Sequence, residues 1–131
     1  KYAVPYNSLG TVLAFEFKGD GSRETYNRAA AAFARAIDLD PAYAAAYHGL
    51  GVVHFQAKVY DKAIAAFKRA LDLGIGLDET RYFLGISHFV RGELPEALAA
   101  LTAFRDSPSS ARLGPAEKAR LDGYIAECRK R

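Results

Sequence analysis

The fold is decided by residues 47–74, YHGLGVVHFQAKVYDKAIAAFKRALDLG, because their pattern occurs a second time. At an offset of 34 residues, residues 81–108 read RYFLGISHFVRGELPEALAALTAFRDSP. A shorter match, YNSLG at residues 6–10, precedes YHGLG by 41 residues. Self-similarity at such a spacing is typical of stacked supersecondary units. We therefore expect three copies of one unit, the first of them longer than the others.

Each copy reads as two helices joined by a short polar turn, at residues 57–59 in the second copy and 91–93 in the third. The second helix of each copy carries apolar residues, mostly alternating large and small, at offsets of three, four and three, which place them on one face. They are Tyr26, Ala29, Phe33 and Ala36, then Tyr60, Ala63, Phe67 and Ala70, then Leu94, Ala97, Leu101 and Phe104. Such a face lets two helices approach closely.

The first copy contains seven extra residues between YNSLG and its second helix. Seven residues are two helical turns, so the insertion can lengthen the first helix without rotating its apolar face. Alternatively, residues 18–22, KGDGS, form a longer turn, and both interpretations can be partly true. We expect a helix from about Ala3 to Phe17, followed by this loop.

These motifs resemble the tetratricopeptide repeat (TPR) family of 34-residue helix-turn-helix units. The residues that carry the resemblance are Tyr47, Leu50, Gly51, Ala63, Phe67 and Ala70, with Pro41 at the end of the first repeat. The resemblance implies an all-α, right-handed superhelical solenoid of antiparallel helix pairs with about seven helices. The expected domain spans residues 1–131, with repeat one at 3–41, repeat two at 42–77, repeat three at 78–108 and a capping helix at 115–130.

The end of the third copy departs from the pattern, since Phe104 replaces the alanine of the earlier copies. What packs there should not be another standard repeat. Pro115 is suited to the first turn of a final helix, whose apolar face would contain Leu121, Tyr124, Ile125 and Cys128. An amphipathic last helix is what a solenoid needs to cover its exposed end.

Composition indicates a soluble globular protein. Half of the 131 residues are hydrophobic, a quarter are charged, and the net charge is +3. No apolar stretch is long enough to span a membrane, and no signal peptide is recognisable, so we expect no membrane insertion. A single cysteine leaves both cytoplasm and periplasm open. The chain begins at Lys1 and contains no Met, which suggests a processed form or a fragment.

The residues do not favour an enzyme. His48, His54 and His88 lack accompanying carboxylate or thiol motifs, so we expect no metal site, and no cofactor-binding fingerprint is present. Cys128 lies on an apolar stripe, where a thiol behaves as a small hydrophobic group. Lys and Arg are scattered beside Asp and Glu, apart from residues 129–131, RKR, so we expect no nucleic-acid partner.

The family resemblance implies that the first helices of successive repeats line a concave groove for a peptide or helix. The groove residues implied are Asn7, Thr11, Ala14 and Phe15, then His48, Val52, Phe55 and Gln56, then Glu79, Tyr82, Ile86, Phe89 and Val90. This set is apolar and aromatic. It lacks the Lys, Asn and Arg residues with which some relatives bind a C-terminal carboxylate.

The sequence thus predicts a non-catalytic protein-interaction module that takes up an apolar or amphipathic segment of a partner. Tyr82, Phe89, Phe55 and Val52 would anchor it, while His48 and Gln56 would donate or accept hydrogen bonds. The apolar groove residues could instead be buried by the superhelix, by a missing domain or by a second copy of the chain. Two alternatives stay open: a scaffold that self-associates through the groove, and a docking or regulatory domain of a larger enzyme.

Overall fold

The computed structural model describes residues 3–74 and 78–130, where every regular element is helical. The elements are α1 (Ala3–Asp20), α2 (Arg23–Leu39), α3 (Ala44–Gln56), α4 (Tyr60–Asp72), α5 (Asp78–Val90), α6 (Leu94–Arg105), a short 3-10 helix (Pro108–Arg112) and α7 (Pro115–Lys130). The predicted all-α fold of paired helices is confirmed. Residues 1, 2, 75–77 and 131 lie outside the description, and they include the predicted end of repeat two.

The chain divides into two compact units. Unit 1 comprises Lys1–Ile75 and contains α1 to α4, while unit 2 comprises Gly76–Arg131 and contains α5 to α7. The predicted repeat boundaries, and the single domain that would contain them, stay predictions. Within the described residues, no helix is both long and apolar enough to cross a bilayer.

The core of unit 1 is built on the alternating residues of α2 and α4. Ala29, Phe33 and Ala36 are at most 1% exposed, and Phe67 of α4 is fully buried between two buried alanines. Burying one such phenylalanine side chain contributes roughly 2–3 kcal/mol relative to exposure. The face predicted from the spacing is therefore the face that folds inward.

Glycines on the first helices allow the large residues of the second helices to approach. A Cβ atom added to Gly51 of α3 would lie 2.6 Å from the ring of Phe67. The same relationship holds between Gly10 and Phe33, at 2.8 Å, and between Gly85 and the side chain of Leu101, at 2.6 Å. Because real Cβ atoms do not come so close to other heavy atoms, the glycine of each LG pair is a steric requirement of the helix pair.

The first aromatic of the YNSLG and YHGLG motifs also has a repeated partner. The guanidinium of Arg35 lies 5.7 Å from the ring centre of Tyr6, and that of Arg69 lies 5.8 Å from the ring centre of Tyr47. These are cation–π distances. The leucine of the motif behaves differently in the first copy, since Leu9 is 46% exposed. No helix among the described residues packs over it.

The seven inserted residues lie mainly within helices. Because Tyr60 begins α4 and is 34 residues after Tyr26, α2 begins three residues earlier than its counterpart. By the same alignment, α1 continues five residues beyond the position where α3 ends, through residues 16–20. The connecting loop is only Gly21 and Ser22, so the helix is three residues longer than predicted.

Two features of the loop explain this short connection. Gly21 has a φ of +64°, in the left-handed region that glycine enters at little cost. Ser22 then caps α2, because its side-chain oxygen accepts a hydrogen bond of 3.2 Å from the backbone N–H of Thr25.

Unit 2 buries an equivalent face of α6 and one side of α7. Leu101 and Phe104 of α6 are buried, and Phe104 packs against Tyr82 of α5 with ring centres 5.0 Å apart. On α7, Leu121, Ile125 and Cys128 are buried. The thiol thus lies in an apolar environment.

Candidate functional site

The predicted groove residues of α1 differ in their accessibility. Phe15 is 79% exposed, Thr11 is also exposed, and Asn7 is partly buried. Thr11 Oγ1 donates to the backbone oxygen of Asn7 at 3.0 Å. The side-chain oxygen of Asn7 is buried and accepts no hydrogen bond from the described residues. An aromatic ring with so much exposed surface is the most accessible apolar group in this predicted set.

Sequence reasoning missed further apolar residues on the same helix. Val4 and Val12 are each 57% exposed, and Leu9 is 46% exposed. Spacings of eight and eleven residues place Val4, Val12 and Phe15 on one side of α1. The available signal was that apolar residues occur all round this helix instead of on a single stripe.

The predicted residues of α3 are half-buried, and two of them already have aromatic neighbours. His48 lies against Phe67 with ring centres 5.9 Å apart, and Phe55 lies against Tyr60 at 5.8 Å. Gln56 has a buried side-chain oxygen that accepts no hydrogen bond within the described chain. Helix α3 contacts α1, so the predicted residues of these two helices belong to one unit.

The predicted residues of α5 lie in unit 2, where α7 covers part of them. The ring of Phe89 packs against that of Tyr124 at 4.9 Å. Burial raises the pKa of Tyr82, and Tyr124 is close enough to raise it further. Ile86 is only 8% exposed. Glu79 and Val90 are the exposed members of this group.

The three histidines have separate environments. His54 is 8% exposed and its Nδ1 lies 2.8 Å from the hydroxyl of Tyr26. His88 lies 2.8 Å from Glu93, and this hydrogen bond is the main reason that the pKa of Glu93 is lowered. In the part of the chain that the structure describes, no three His, Cys, Asp or Glu side chains are placed to hold a metal ion.

Comparisons with known proteins agree on the architecture. The tetratricopeptide repeat family model matches residues 2–74. The structure of YrrB, described as a TPR protein with an unusual peptide-binding site, is similar with a TM-score of 0.77, 24% sequence identity and coverage of 96% of this chain. The chain spans 58% of the YrrB chain.

A second similar structure is the type III secretion translocator chaperone SycD of Yersinia enterocolitica. Its TM-score is 0.72 at 19% identity, covering 93% of this chain and 82% of that one. No curated protein matches the chain significantly. At these identities the two structures are evidence for the fold alone.

Proposed function

Because the chain belongs to the tetratricopeptide repeat family, we propose that it is a non-catalytic protein-interaction module that binds a peptide or helical segment of a partner. The binding surface consists of the predicted groove residues on the first helices of the repeats. The description of YrrB as having a peptide-binding site supports this class of ligand.

The exposure of Phe15 is the observation that carries the proposal. Aromatic side chains supply much of the binding energy at protein interfaces. A 79% exposed phenylalanine has nearly all of its apolar surface available for burial by a ligand. Its removal should leave the fold unchanged, since the ring contributes little to the core of unit 1.

The half-buried residues of α3 would provide the rest of the site in unit 1. Val52 and Phe55 offer apolar surface, while His48 and Gln56 offer polar atoms. The unpaired amide oxygens of Gln56 and Asn7 each carry a cost of about 1–3 kcal/mol, which a hydrogen bond from a ligand's backbone would offset.

The residues of α5 enter the proposal with a different weight. Glu79 and Val90 are exposed and can contact a ligand directly. Tyr82 and Phe89 present only part of their rings, because α6 and α7 contact the remainder. Truncating these two residues would therefore disturb unit 2, and they are poor choices for testing binding.

Phage-displayed random peptides selected on the intact chain test the proposal. Enriched peptides are synthesised, and their Kd is measured for the wild type and for Phe15→Ala. We expect enrichment of apolar or amphipathic sequences, and a loss of affinity of roughly tenfold or more in the variant, the level of an interface hot spot.

Leu9→Ala combined with Val12→Ala is the matched control, because both residues are exposed on α1 but lie outside the predicted groove set. Its affinity for the selected peptides should stay near that of the wild type. The groove assignment fails if the control loses binding while Phe15→Ala retains it, or if no peptide is enriched.

Self-association is the second hypothesis, favoured by the number of large apolar residues exposed on α1. Sedimentation velocity over a concentration series separates the two, since a peptide-binding monomer keeps one sedimentation coefficient. A concentration-dependent dimer that Phe15→Ala abolishes would assign the same surface to a second copy of the chain.

A further inference from the structure

A cavity of about 510 Å³ lies in unit 1, at the end where α1 turns into α2 and α3 turns into α4. Phe17, Gly21 and Arg23 line it from the first connection, and Ala57 and Val59 from the second. Its volume falls within the range of small-molecule sites. None of these residues belongs to the predicted groove.

The seven-residue insertion creates one wall of this cavity. Phe17 lies in the five-residue extension of α1, and Arg23 lies in the three-residue extension of α2. Without these extra turns, the first helix pair would end level with the α3–α4 turn and would not project beside it. The insertion therefore has a structural consequence that the groove proposal leaves unused.

The polar groups of the cavity are predominantly cationic. Arg23 and Asn27 lie one turn apart on α2, and Lys62 lies on α4. No Asp or Glu lines the cavity, and neither cation forms an ion pair within residues 3–74. Two cations without a carboxylate partner attract an anion, and Arg in particular suits carboxylate and phosphate geometry.

The nearest loop carboxylate is occupied elsewhere. Asp20 Oδ1 accepts a hydrogen bond from the backbone N–H of Ser22 at 2.7 Å, and its Oδ2 accepts one from the hydroxyl of Thr25 at 3.0 Å. Asp20 therefore serves the start of α2. The positive charge of the cavity is left without a neutralising group from this loop.

The hydrogen-bonded pair of Tyr26 and His54 forms another part of the wall. Burial lowers the pKa of His54, and the charge of Lys62 lowers it further. The imidazole is thus neutral at pH 7, and the effect of Lys62 indicates that its positive field reaches into the cavity.

The remaining wall is apolar. The rings of Phe17 and Tyr26 are 5.6 Å apart, and Ala30 and Val59 add aliphatic surface. We propose that this cavity binds a small organic anion, a carboxylate or a phosphate monoester attached to an aromatic or aliphatic body. The anionic group would contact Arg23 and Lys62, and the body would contact the rings.

Titration of the intact chain with phenyl phosphate and with benzoate tests the proposal, with benzyl alcohol as the uncharged comparison. Isothermal calorimetry gives the Kd, and NMR shifts of the His54 and Tyr26 rings locate the site. We expect at least one anion to bind with a Kd below about 5 mM, and the alcohol to bind roughly tenfold more weakly or not at all. The two anion arms establish whether phosphate or carboxylate is preferred.

Arg23→Gln combined with Lys62→Gln should weaken anion binding by roughly tenfold or more. The control is Arg28→Gln combined with Lys68→Gln, two exposed cations of the same helices that do not line the cavity. Both double variants change the net charge from +3 to +1, since two positive charges are removed. The site assignment is overturned if both variants weaken binding equally, if neither anion binds, or if the shifts appear away from His54 and Tyr26.

Discussion

The hydroxyl of Tyr26 on α2 lies 2.8 Å from Nδ1 of His54 on α3, so one hydrogen bond joins the second helix of the first repeat to the first helix of the next. The two rings also meet edge to face, with centres 5.8 Å apart. This contact fixes the relative position of two helices whose connection, residues 40–43, is irregular.

Tyr26→Phe should destabilise unit 1 by about 1 kcal/mol, because it removes the hydrogen bond and keeps the ring contacts. Urea unfolding followed by far-UV circular dichroism measures the change. Tyr43→Phe is the control, since the Tyr43 hydroxyl forms no hydrogen bond with the described residues, and its effect should be within about 0.5 kcal/mol. Equal effects of the two substitutions would contradict a role for the hydrogen bond.

The stability of the chain should depend on pH through His54. Burial lowers its folded-state pKa below 6.5, so between that pKa and 6.5 the unfolded state binds more protons. The contribution of His54 is therefore complete above about pH 6.5 and decreases as the pH falls below it. Unfolding curves from pH 8 to pH 5 for the wild type and His54→Gln measure this contribution. A wild type whose stability changes in parallel with the variant would refute it.

Gly51→Ala should destabilise unit 1 by roughly 1–3 kcal/mol, because the new Cβ would lie 2.6 Å from the buried ring of Phe67. Gly19→Ala is the matched change, since a Cβ there meets nothing within 4 Å and alanine favours the helix. Thermal unfolding of both variants is the measurement. Destabilisation by Gly19→Ala of the same size would point to helix propensity or loop effects instead of the ring contact.

Phe67→Ala should cost about 3–5 kcal/mol, because it leaves a cavity at a fully buried position. Phe15→Ala should change stability by less than about 0.5 kcal/mol, because that side chain is 79% exposed. The contrast between two phenylalanines of the same unit is measured by urea unfolding. A large loss in Phe15→Ala would indicate a structural contact and would weaken the binding proposal.

The contact between Phe89 and Tyr124 should couple α5 to α7. A double-mutant cycle with Phe89→Leu and Tyr124→Leu should give a coupling energy of about 0.5–1.5 kcal/mol, the value of an aromatic pair. Native-state hydrogen exchange of the α7 amides is the readout. A cycle of Val90→Ala with Tyr124→Leu should show almost no coupling, because Val90 is 52% exposed.

Much of the helical framework could be predicted from residue spacing. The period of the small and large residues identified the buried faces of α2, α4 and α6, and the LG pairs identified the glycines that meet those faces. The insertion was located correctly, but the length of α1 was underestimated by three residues. Gly19 and Gly21 suggested a loop throughout residues 18–22, whereas Ser22 supplies a cap that lets α2 begin immediately after Gly21.

The sequence by itself determined the all-α class, the helix pairs and the inward-facing residues, because helical period and side-chain size are local properties. Only the tertiary structure decided that Phe89 meets Tyr124, that Phe15 stays exposed, and that the insertion encloses a cationic cavity with Lys62. A period shows which residues share a face of one helix, but what lies opposite that face depends on how distant segments pack.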